Sequence, residues 1–173
     1  MKKIAIIGPS GAGKTILAVN LAKRLNLPVY HLDTYFWKPD WQEADSEQFM
    51  LKQYELVMLD QWIIDGNFRR TLSIRLFEAD TIIFLDISRW RCLYQAIRRQ
   101  LKYYDRNRPD FPRGCVSRFD KKFLWFLWDI WRWNANGGRR HVLEYLAIAK
   151  ETNSAQIYHL RSQKKIDLFL ASL

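Results

Sequence analysis

The chain has 173 residues, of which 49% are hydrophobic and 27% charged, and its formal net charge is +10. This length and composition predict a single globular domain over residues 1–173. They exclude a helical membrane protein, because no apolar run approaches the roughly 18 residues that a membrane span needs. Two cysteines are too few for a disulfide framework, so we expect reduced thiols in a cytoplasmic protein without a membrane partner.

Short apolar runs alternate with helical patterns along the chain. The apolar runs predict strands at 4–8, 29–33, 62–66, 81–86 and 155–160. The helical patterns predict helices at 14–25, 46–59, about 89–104, 121–133 and 140–151, and a short closing helix. Irregular structure is predicted for 35–45 and for the Pro- and Arg-rich stretch 105–120. This order predicts βαβ units, hence an α/β fold with a five-stranded parallel sheet between two helical layers.

Residues 8–15, GPSGAGKT, form a phosphate-binding loop pattern between the first strand and the first helix. Glycines let backbone N–H groups turn towards phosphate oxygens, and the helix N-terminus adds its positive dipole end. We therefore predict ATP and Mg²⁺ as cofactors. Lys14 would reach the β- and γ-phosphates, and the Thr15 hydroxyl would hold Mg²⁺. The predicted ATP contacts in this loop are Gly8, Ser10, Gly11, Ala12, Gly13, Lys14 and Thr15.

Three aspartates end or follow apolar strands: Asp33, Asp65 and Asp86. Ligands of parallel α/β sheets bind at the carboxyl ends of the strands, so we expect these carboxylates along one edge with Gly8. Asp65 is predicted to help place Mg²⁺ beside Thr15. Asp33 is predicted to act as a general base on an acceptor hydroxyl or to orient it. For both residues the alternative is a structural turn or helix cap.

The stretch WIIDGNFRRT (62–71) resembles the adenylate kinase pattern of an apolar strand, Asp-Gly, an aromatic residue, Arg and Thr. The resemblance implies that Asp65 orients Mg²⁺ through water and that Arg69 or Arg70 holds an acceptor phosphate. The register of the arginine stays open, because Asn67-Phe68 replaces the usual Phe-Pro. The tripeptide HLD (31–33) resembles shikimate and gluconate kinases, in which the Asp contacts the acceptor hydroxyl.

The stretch FLDISRWRCLYQAIRRQ (84–100) resembles the strand and Arg-bearing helix that lead into the lid of these kinases. The resemblance implies that Arg98 and Arg99 bind the nucleotide, and that a lid-like insertion at about 105–120 contributes further arginines. The candidates there are Arg106, Arg108 and Arg113, with a solvated basic loop as the alternative. By resemblance alone, the segment that starts at Arg161 is a candidate for the base pocket.

The chain as a whole combines GPSGAGKT, HLD, a tryptophan-bearing loop, WIIDGNF, IIFLD and an Arg- and Trp-rich helical region. This combination resembles the bacterial DNA topology modulation protein family, of the FlaR type. These are adenylate-kinase-like P-loop proteins. The resemblance implies a P-loop NTPase with a three-layer α/β/α fold, similar to nucleoside monophosphate kinases and with a helical, Arg-rich lid.

The charge is localised. Residues 89–141 hold 14 of the 28 Lys and Arg and 4 of the 18 Asp and Glu, so this segment alone carries the net charge of +10. It also holds the aromatic helix at 121–134, apolar on almost every face. Such a helix predicts burial all round or packing against another chain, for example in a homodimer. The alternative is nucleic-acid binding, with aromatic rings stacking on bases.

The sequence thus predicts an ATP·Mg-dependent phosphotransferase that acts on a nucleotide or a small hydroxylated acceptor. The predicted catalytic residues are Lys14, Asp33, Asp65, Arg69, Arg70, Arg99, Arg106 and Arg108. Trp37 and Trp41 are candidates for a wall of the acceptor pocket, with ordinary loop packing as the alternative. No histidine is assigned to catalysis. The rival hypothesis is an ATP-binding, nucleic-acid-associated regulator with weak or no kinase activity.

Overall fold

A computed structural model describes residues 1–107, 111 and 114–173 of the chain. The predicted lid arginines Arg108 and Arg113 lie outside the described residues. None of the helices in the described part of the chain has the length and apolar character needed to cross a lipid bilayer.

The strands and helices follow one another in α/β order. The strands are β1 (Lys3–Ile7), β2 (Val29–His31), β3 (Trp37–Lys38), β4 (Gln42–Glu43), β5 (Trp62–Asp65), β6 (Thr81–Leu85) and β7 (Gln156–Leu160). The helices are α1 (Lys14–Leu25), α2 (Leu32–Phe36), α3 (Ser46–Val57), α4 (Leu72–Glu78), α5 (Arg89–Lys102), α6 (Lys121–Arg132), α7 (Gly138–Thr152) and α8 (Gln163–Ala171).

Five parallel strands form the central sheet in the order β2-β5-β1-β6-β7, and β3 and β4 form a separate antiparallel pair. The predicted α/β fold with a five-stranded parallel sheet is confirmed. In β1, Ile4 and Ile6 contribute to one buried apolar cluster, whereas Ala5 and Ile7 contribute to the other. This alternation follows from the two-residue period of a strand, and it shows that helices cover both faces of the sheet.

Side-chain caps mark two predicted helix starts. The Asp45 carboxylate accepts hydrogen bonds from the backbone N–H groups of Glu47 and Gln48 at the start of α3. The Ser88 hydroxyl accepts from the N–H of Arg91 at the start of α5. Both interactions satisfy N–H groups that lack a partner within the helix, which is why Asp and Ser favour these positions.

Four parts of the fold differ from the sequence prediction. The strand predicted at 29–33 ends at His31, so Asp33 lies in α2 and does not end a strand. Helix α4 was not expected, because its buried face combines Leu72 and Leu76 with a charged residue and breaks the apolar pattern. The stretch 35–45 is not fully irregular, since it includes the end of α2 and the β3–β4 pair. The expectation that α6 is buried all round is wrong within this chain, because Leu124 and Trp125 are 65% and 68% exposed. Packing of α6 against another chain stays a prediction.

Candidate active site

The phosphate loop connects β1 to α1 in a conformation that requires glycine. Gly8 and Gly11 have φ angles of +143° and +80°, in the region that L side chains rarely adopt. A Cβ on Gly8 would lie 2.4 Å from the carbonyl oxygen of Leu85, and one on Gly11 would lie 2.4 Å from that of Cys92. The loop is therefore packed directly against the end of β6 and the first turn of α5.

Lys14, the first residue of α1, folds back over this loop. Its Nζ donates hydrogen bonds to the carbonyl oxygens of Gly8 (3.0 Å) and Pro9 (2.9 Å). Burial lowers the pKa of Lys14, and the negative charges of Asp33 and Asp65 oppose that shift. Two carboxylates, one from α2 and one from the end of β5, thus lie close enough to Lys14 to influence its charge.

Asp65 ends β5 and accepts a hydrogen bond at each carboxylate oxygen. The Thr15 hydroxyl donates to Oδ2 (3.0 Å), and Nδ1 of His31 lies 2.6 Å from Oδ1. A hydroxyl has one proton, so after donating it the Thr15 oxygen keeps lone pairs for a cation. Hydroxyl and carboxylate oxygens are the ligand types that Mg²⁺ prefers. Thr15 and Asp65 therefore fit a magnesium ion bound mainly by phosphates and water. In the described part of the chain, no cluster of three or more His, Cys, Asp or Glu side chains forms a metal site.

A cavity of about 1470 Å³ opens beside the loop. It brings together most of the site residues predicted from the sequence: Ser10, Gly11, Ala12, Gly13, Lys14, Thr15, Asp33, Asp65, Arg69, Arg98 and Arg99. Four other predicted residues do not line it: Gly8, Arg70, Arg106 and Arg161. The side chains of these three arginines are exposed to solvent.

Aromatic rings form one part of the cavity lining. They belong to Trp37, Trp41, Phe68 and Phe111. The centroid of the Trp41 ring lies 5.6 Å from that of Trp37 and 5.2 Å from that of Phe111. Trp41 is held in place because its Nε1 donates to the carbonyl oxygen of Val116 (2.8 Å). These contacts give the cavity a wall that suits a flat or ring-shaped ligand.

Helix α5 contributes cations and touches the phosphate loop. Arg91, Arg98, Arg99 and Lys102 line the cavity. With the Gln95 amide oriented to satisfy both of its ends, its nitrogen donates to the carbonyl oxygen of Gly11 (2.7 Å) and its oxygen accepts from Nε of Arg91 (3.2 Å). A displacement of α5 would therefore disturb this hydrogen bond to the phosphate loop. Arg69, from the β5–α4 connection, also lines the cavity, and its Nη1 donates to the carbonyl oxygen of Asn136 (3.1 Å).

Asp86 lies at the same sheet edge but does not line the cavity. Its Oδ2 accepts hydrogen bonds from Nε (3.0 Å) and Nη2 (2.9 Å) of Arg139, and Nε2 of His159 lies 2.8 Å away. Burial alone would raise the pKa of Asp86, but the hydrogen bonds from Arg139 and His159 outweigh it and hold the pKa below its usual value. This carboxylate therefore joins the ends of β6 and β7 to the start of α7.

Sequence reasoning missed two residues near Asp65. His31 was assigned no role, since the pairing of β2 with β5 is not visible in the sequence. Arg75 of α4 is fully buried. Its Nη2 donates to the carbonyl oxygen of Gly66 (3.1 Å), and its Nη1 donates to Oε1 of Gln53 (3.1 Å). Burial lowers the pKa of Arg75 to about 9, and the charge of Asp65 opposes the shift. Arg75 is thus a buried cation that anchors the turn after Asp65.

Comparisons with known proteins identify the fold. No protein-family model matches the chain, and no curated protein sequence does. Among solved structures, a shikimate kinase from Acinetobacter baumannii in complex with shikimate matches with a TM-score of 0.54 at 13% identity, over 99% of this chain and 90% of that chain. A shikimate kinase from Bacteroides thetaiotaomicron has a TM-score of 0.52 at 15% identity, over 98% and 94%. A sugar kinase from Janibacter sp. HTCC2649 has a TM-score of 0.50 at 14% identity, over 99% and 93%.

At these identities the likeness shows the fold, which is the P-loop kinase fold. The finer resemblance to the DNA topology modulation protein family stays a prediction. The roles of the site residues are likewise proposals, which rest on the geometry described above.

Proposed function

We propose that the chain transfers the γ-phosphoryl group of ATP to a hydroxyl group of a small acceptor. The observation that carries this proposal is the convergence of Lys14, Thr15, Asp65 and Asp33 on one cavity at the phosphate loop. The first two residues are suited to the nucleotide, Asp65 to its metal ion and Asp33 to the acceptor.

The proposed reaction needs a base, a charge clamp and a position for each reactant. The acceptor oxygen forms a bond to the γ-phosphorus, the bond from that phosphorus to the β–γ bridging oxygen breaks, and the hydroxyl proton passes to Asp33. Lys14 and Arg99 offset the negative charge of the transferring group. Thr15 and Asp65 would hold Mg²⁺, which neutralises phosphate charge when bound.

The Asp33 carboxylate in the cavity favours a hydroxyl acceptor over a nucleoside monophosphate. A phosphate acceptor is already ionised, so it has no proton for Asp33 to remove, and a carboxylate beside it is repulsive. Of the two arginines considered for an acceptor phosphate, Arg69 lines the cavity and Arg70 does not. The aromatic wall of Trp37, Trp41, Phe68 and Phe111 supports an acceptor with a ring.

The test is a screen for acceptor-dependent ADP release from ATP and Mg²⁺. Hydroxylated ring compounds form one panel and nucleoside monophosphates the other, with the Lys14→Ala variant as the blank. The expected result is ADP release with one member of the first panel and a product whose ³¹P NMR spectrum shows a phosphate monoester. Turnover confined to nucleoside monophosphates would refute the hydroxyl acceptor. Wild-type protein that never exceeds the Lys14→Ala blank would refute the phosphotransferase.

A second candidate function is a nucleic-acid-associated regulator that binds ATP. The observation that favours it is a set of exposed rings beside cations on α5 and α6. Trp90, Trp125 and Trp128 are 65%, 68% and 48% exposed, and the guanidinium of Arg132 lies 5.7 Å from the Trp128 ring centroid. Exposed rings among arginines suit single-stranded nucleic acid. A salt titration of oligonucleotide binding tests this candidate, since electrostatic engagement gives a steep log–log slope. Weak binding that ATP abolishes would instead favour the kinase.

A further inference from the structure

His31 is the last residue of β2 and the direct neighbour of Asp65 across the sheet. The parallel register pairs His31 with Asp65, Tyr30 with Ile64 and Val29 with Ile63. Paired residues of neighbouring strands present their side chains on the same face, so the register itself brings the imidazole to the carboxylate. The resulting distance between Nδ1 and Oδ1 is 2.6 Å, and Asp65 is only 4% exposed.

The direction of this hydrogen bond follows from the chemistry of the two groups. An ionised carboxylate only accepts, so Nδ1 of His31 carries the proton and donates it. The other oxygen, Oδ2, receives the Thr15 hydroxyl proton. Two donors from different elements, β2 and α1, therefore hold the two oxygens of one carboxylate. Rotation about χ2 of an aspartate is otherwise only weakly restricted.

We propose that His31 is a positioning residue, which holds Asp65 in the orientation that serves the metal ion of the bound nucleotide. This proposal rests on the proposed function, because it takes the Asp65 and Thr15 pair as the magnesium site. His31 acts through Asp65 and needs no contact with the nucleotide. Side chains that hydrogen-bond to metal ligands typically contribute 10- to 100-fold to metal affinity or activity.

Three substitutions separate this role from a general effect on β2. His31→Asn keeps an N–H donor on the same Cγ that carries Nδ1 in histidine. His31→Gln has the same amide one bond further out, and His31→Leu has no donor. Val29→Ala is the matched control, because Val29 is half-buried in the same strand and pairs with Ile63 rather than Asp65. It weakens the packing of β2 without removing a hydrogen bond to the carboxylate.

The affinity of Mn²⁺ for the complex of protein and ADP, measured from the electron paramagnetic resonance signal of free Mn²⁺, reports the metal site without any turnover. We expect His31→Leu and His31→Gln to weaken Mn²⁺ binding about tenfold. His31→Asn should stay within threefold of the wild type, and Val29→Ala should be unchanged. If His31→Leu is too unstable to measure, the Asn and Gln pair still decides the question.

Two outcomes would overturn the proposal. Wild-type Mn²⁺ affinity in both the Leu and Gln variants would show that Asp65 needs no help from His31. An equal loss in the Asn, Gln and Val29→Ala variants would assign the effect to β2 as a strand. A wild-type protein that binds ADP and Mn²⁺ but transfers no phosphoryl group would instead refute the proposed function. The role of His31 in the metal site would still be measured in that case.

Discussion

Replacing Asp86 by Asn tests whether this carboxylate stabilises the fold around the site or takes part in binding ATP and Mg²⁺. Asp86 follows β6 at the sheet edge that carries Asp33 and Asp65, yet its oxygens face Arg139 and His159 instead of the cavity. We expect Asp86→Asn to lower stability clearly while ATP binding with Mg²⁺ changes less than threefold.

The magnitude follows from the hydrogen bonds that the substitution weakens. Charge-assisted hydrogen bonds contribute about 1.5–3 kcal/mol each when both partners are buried. The Arg139 side chain is 36% exposed, so water replaces part of the lost interaction and the net loss is smaller. We expect a loss of about 2.5 kcal/mol in the free energy of unfolding, or a fall of about 8 °C in Tm for a chain of this length.

The dependence on pH has a defined sign. The folded-state pKa of Asp86 is below its usual value, so the stabilisation is fully present above the unfolded pKa of about 3.9. It is lost as the pH falls through the folded-state pKa. The stability difference between wild type and Asp86→Asn should therefore shrink below about pH 4.

Urea unfolding at pH 7 and at pH 3.5 measures the loss of stability and its dependence on pH. ATP titrations with Mg²⁺ at pH 7 measure the change in ATP affinity. Glu55→Gln is the control, because it removes only the exposed Lys52–Glu55 pair and should leave stability unchanged. Equal stability of Asp86→Asn and wild type at pH 7 would refute the structural role. A large loss of Mg²⁺-dependent ATP binding would show that Asp86 takes part in binding the nucleotide or its metal ion.

Three further substitutions test the phosphate loop and its metal site. Lys14→Ala should lower turnover at least about 1000-fold with an unchanged circular dichroism spectrum, and wild-type turnover would refute the loop's role. Asp65→Asn should lower turnover about 100- to 1000-fold but weaken ATP binding less than tenfold, and equal losses in calorimetry and kinetics would make Asp65 structural. Gly11→Ala should destabilise the fold by about 3 kcal/mol in urea unfolding, because its Cβ meets the Cys92 carbonyl oxygen at 2.4 Å; an unchanged midpoint would show that α5 can move away.

The fold was predictable because the central strands are buried on both faces. All five residues of β6 are at most 1% exposed, so its sequence is an almost continuous apolar run that stands out from its surroundings. Helix α4 was not predictable in the same way. A short helix with Arg75 on its buried face has the composition of a surface segment, and only the tertiary partners of the guanidinium make that burial possible.

The candidate site was predictable where its residues are neighbours in sequence, and unpredictable where they meet by strand order. The spacing of glycine, lysine and threonine within the eight residues from Gly8 to Thr15 predicts the conformation of the phosphate loop. The pairing of His31 with Asp65 depends on β2 lying beside β5, although two short strands and two helices separate them along the chain. The partners of Asp86 are likewise 53 and 73 residues away along the chain. The sequence therefore does not indicate that this carboxylate is hydrogen-bonded within the protein.

Arg75 and Asp65 are both buried, and the electrostatic attraction between them links the proposed metal site to the stability of the fold. A fully buried guanidinium is costly unless hydrogen bonds and an opposite charge offset its desolvation. Arg75 has hydrogen bonds to Gly66 and Gln53, and the negative charge of Asp65 favours its protonated form. Neutralising Asp65 would leave that cation with less compensation, so Asp65→Asn should lose stability as well as turnover. Kinetic effects of substitutions at Asp65 therefore have to be compared at temperatures where each variant is fully folded, because only then does a loss of turnover measure the metal site.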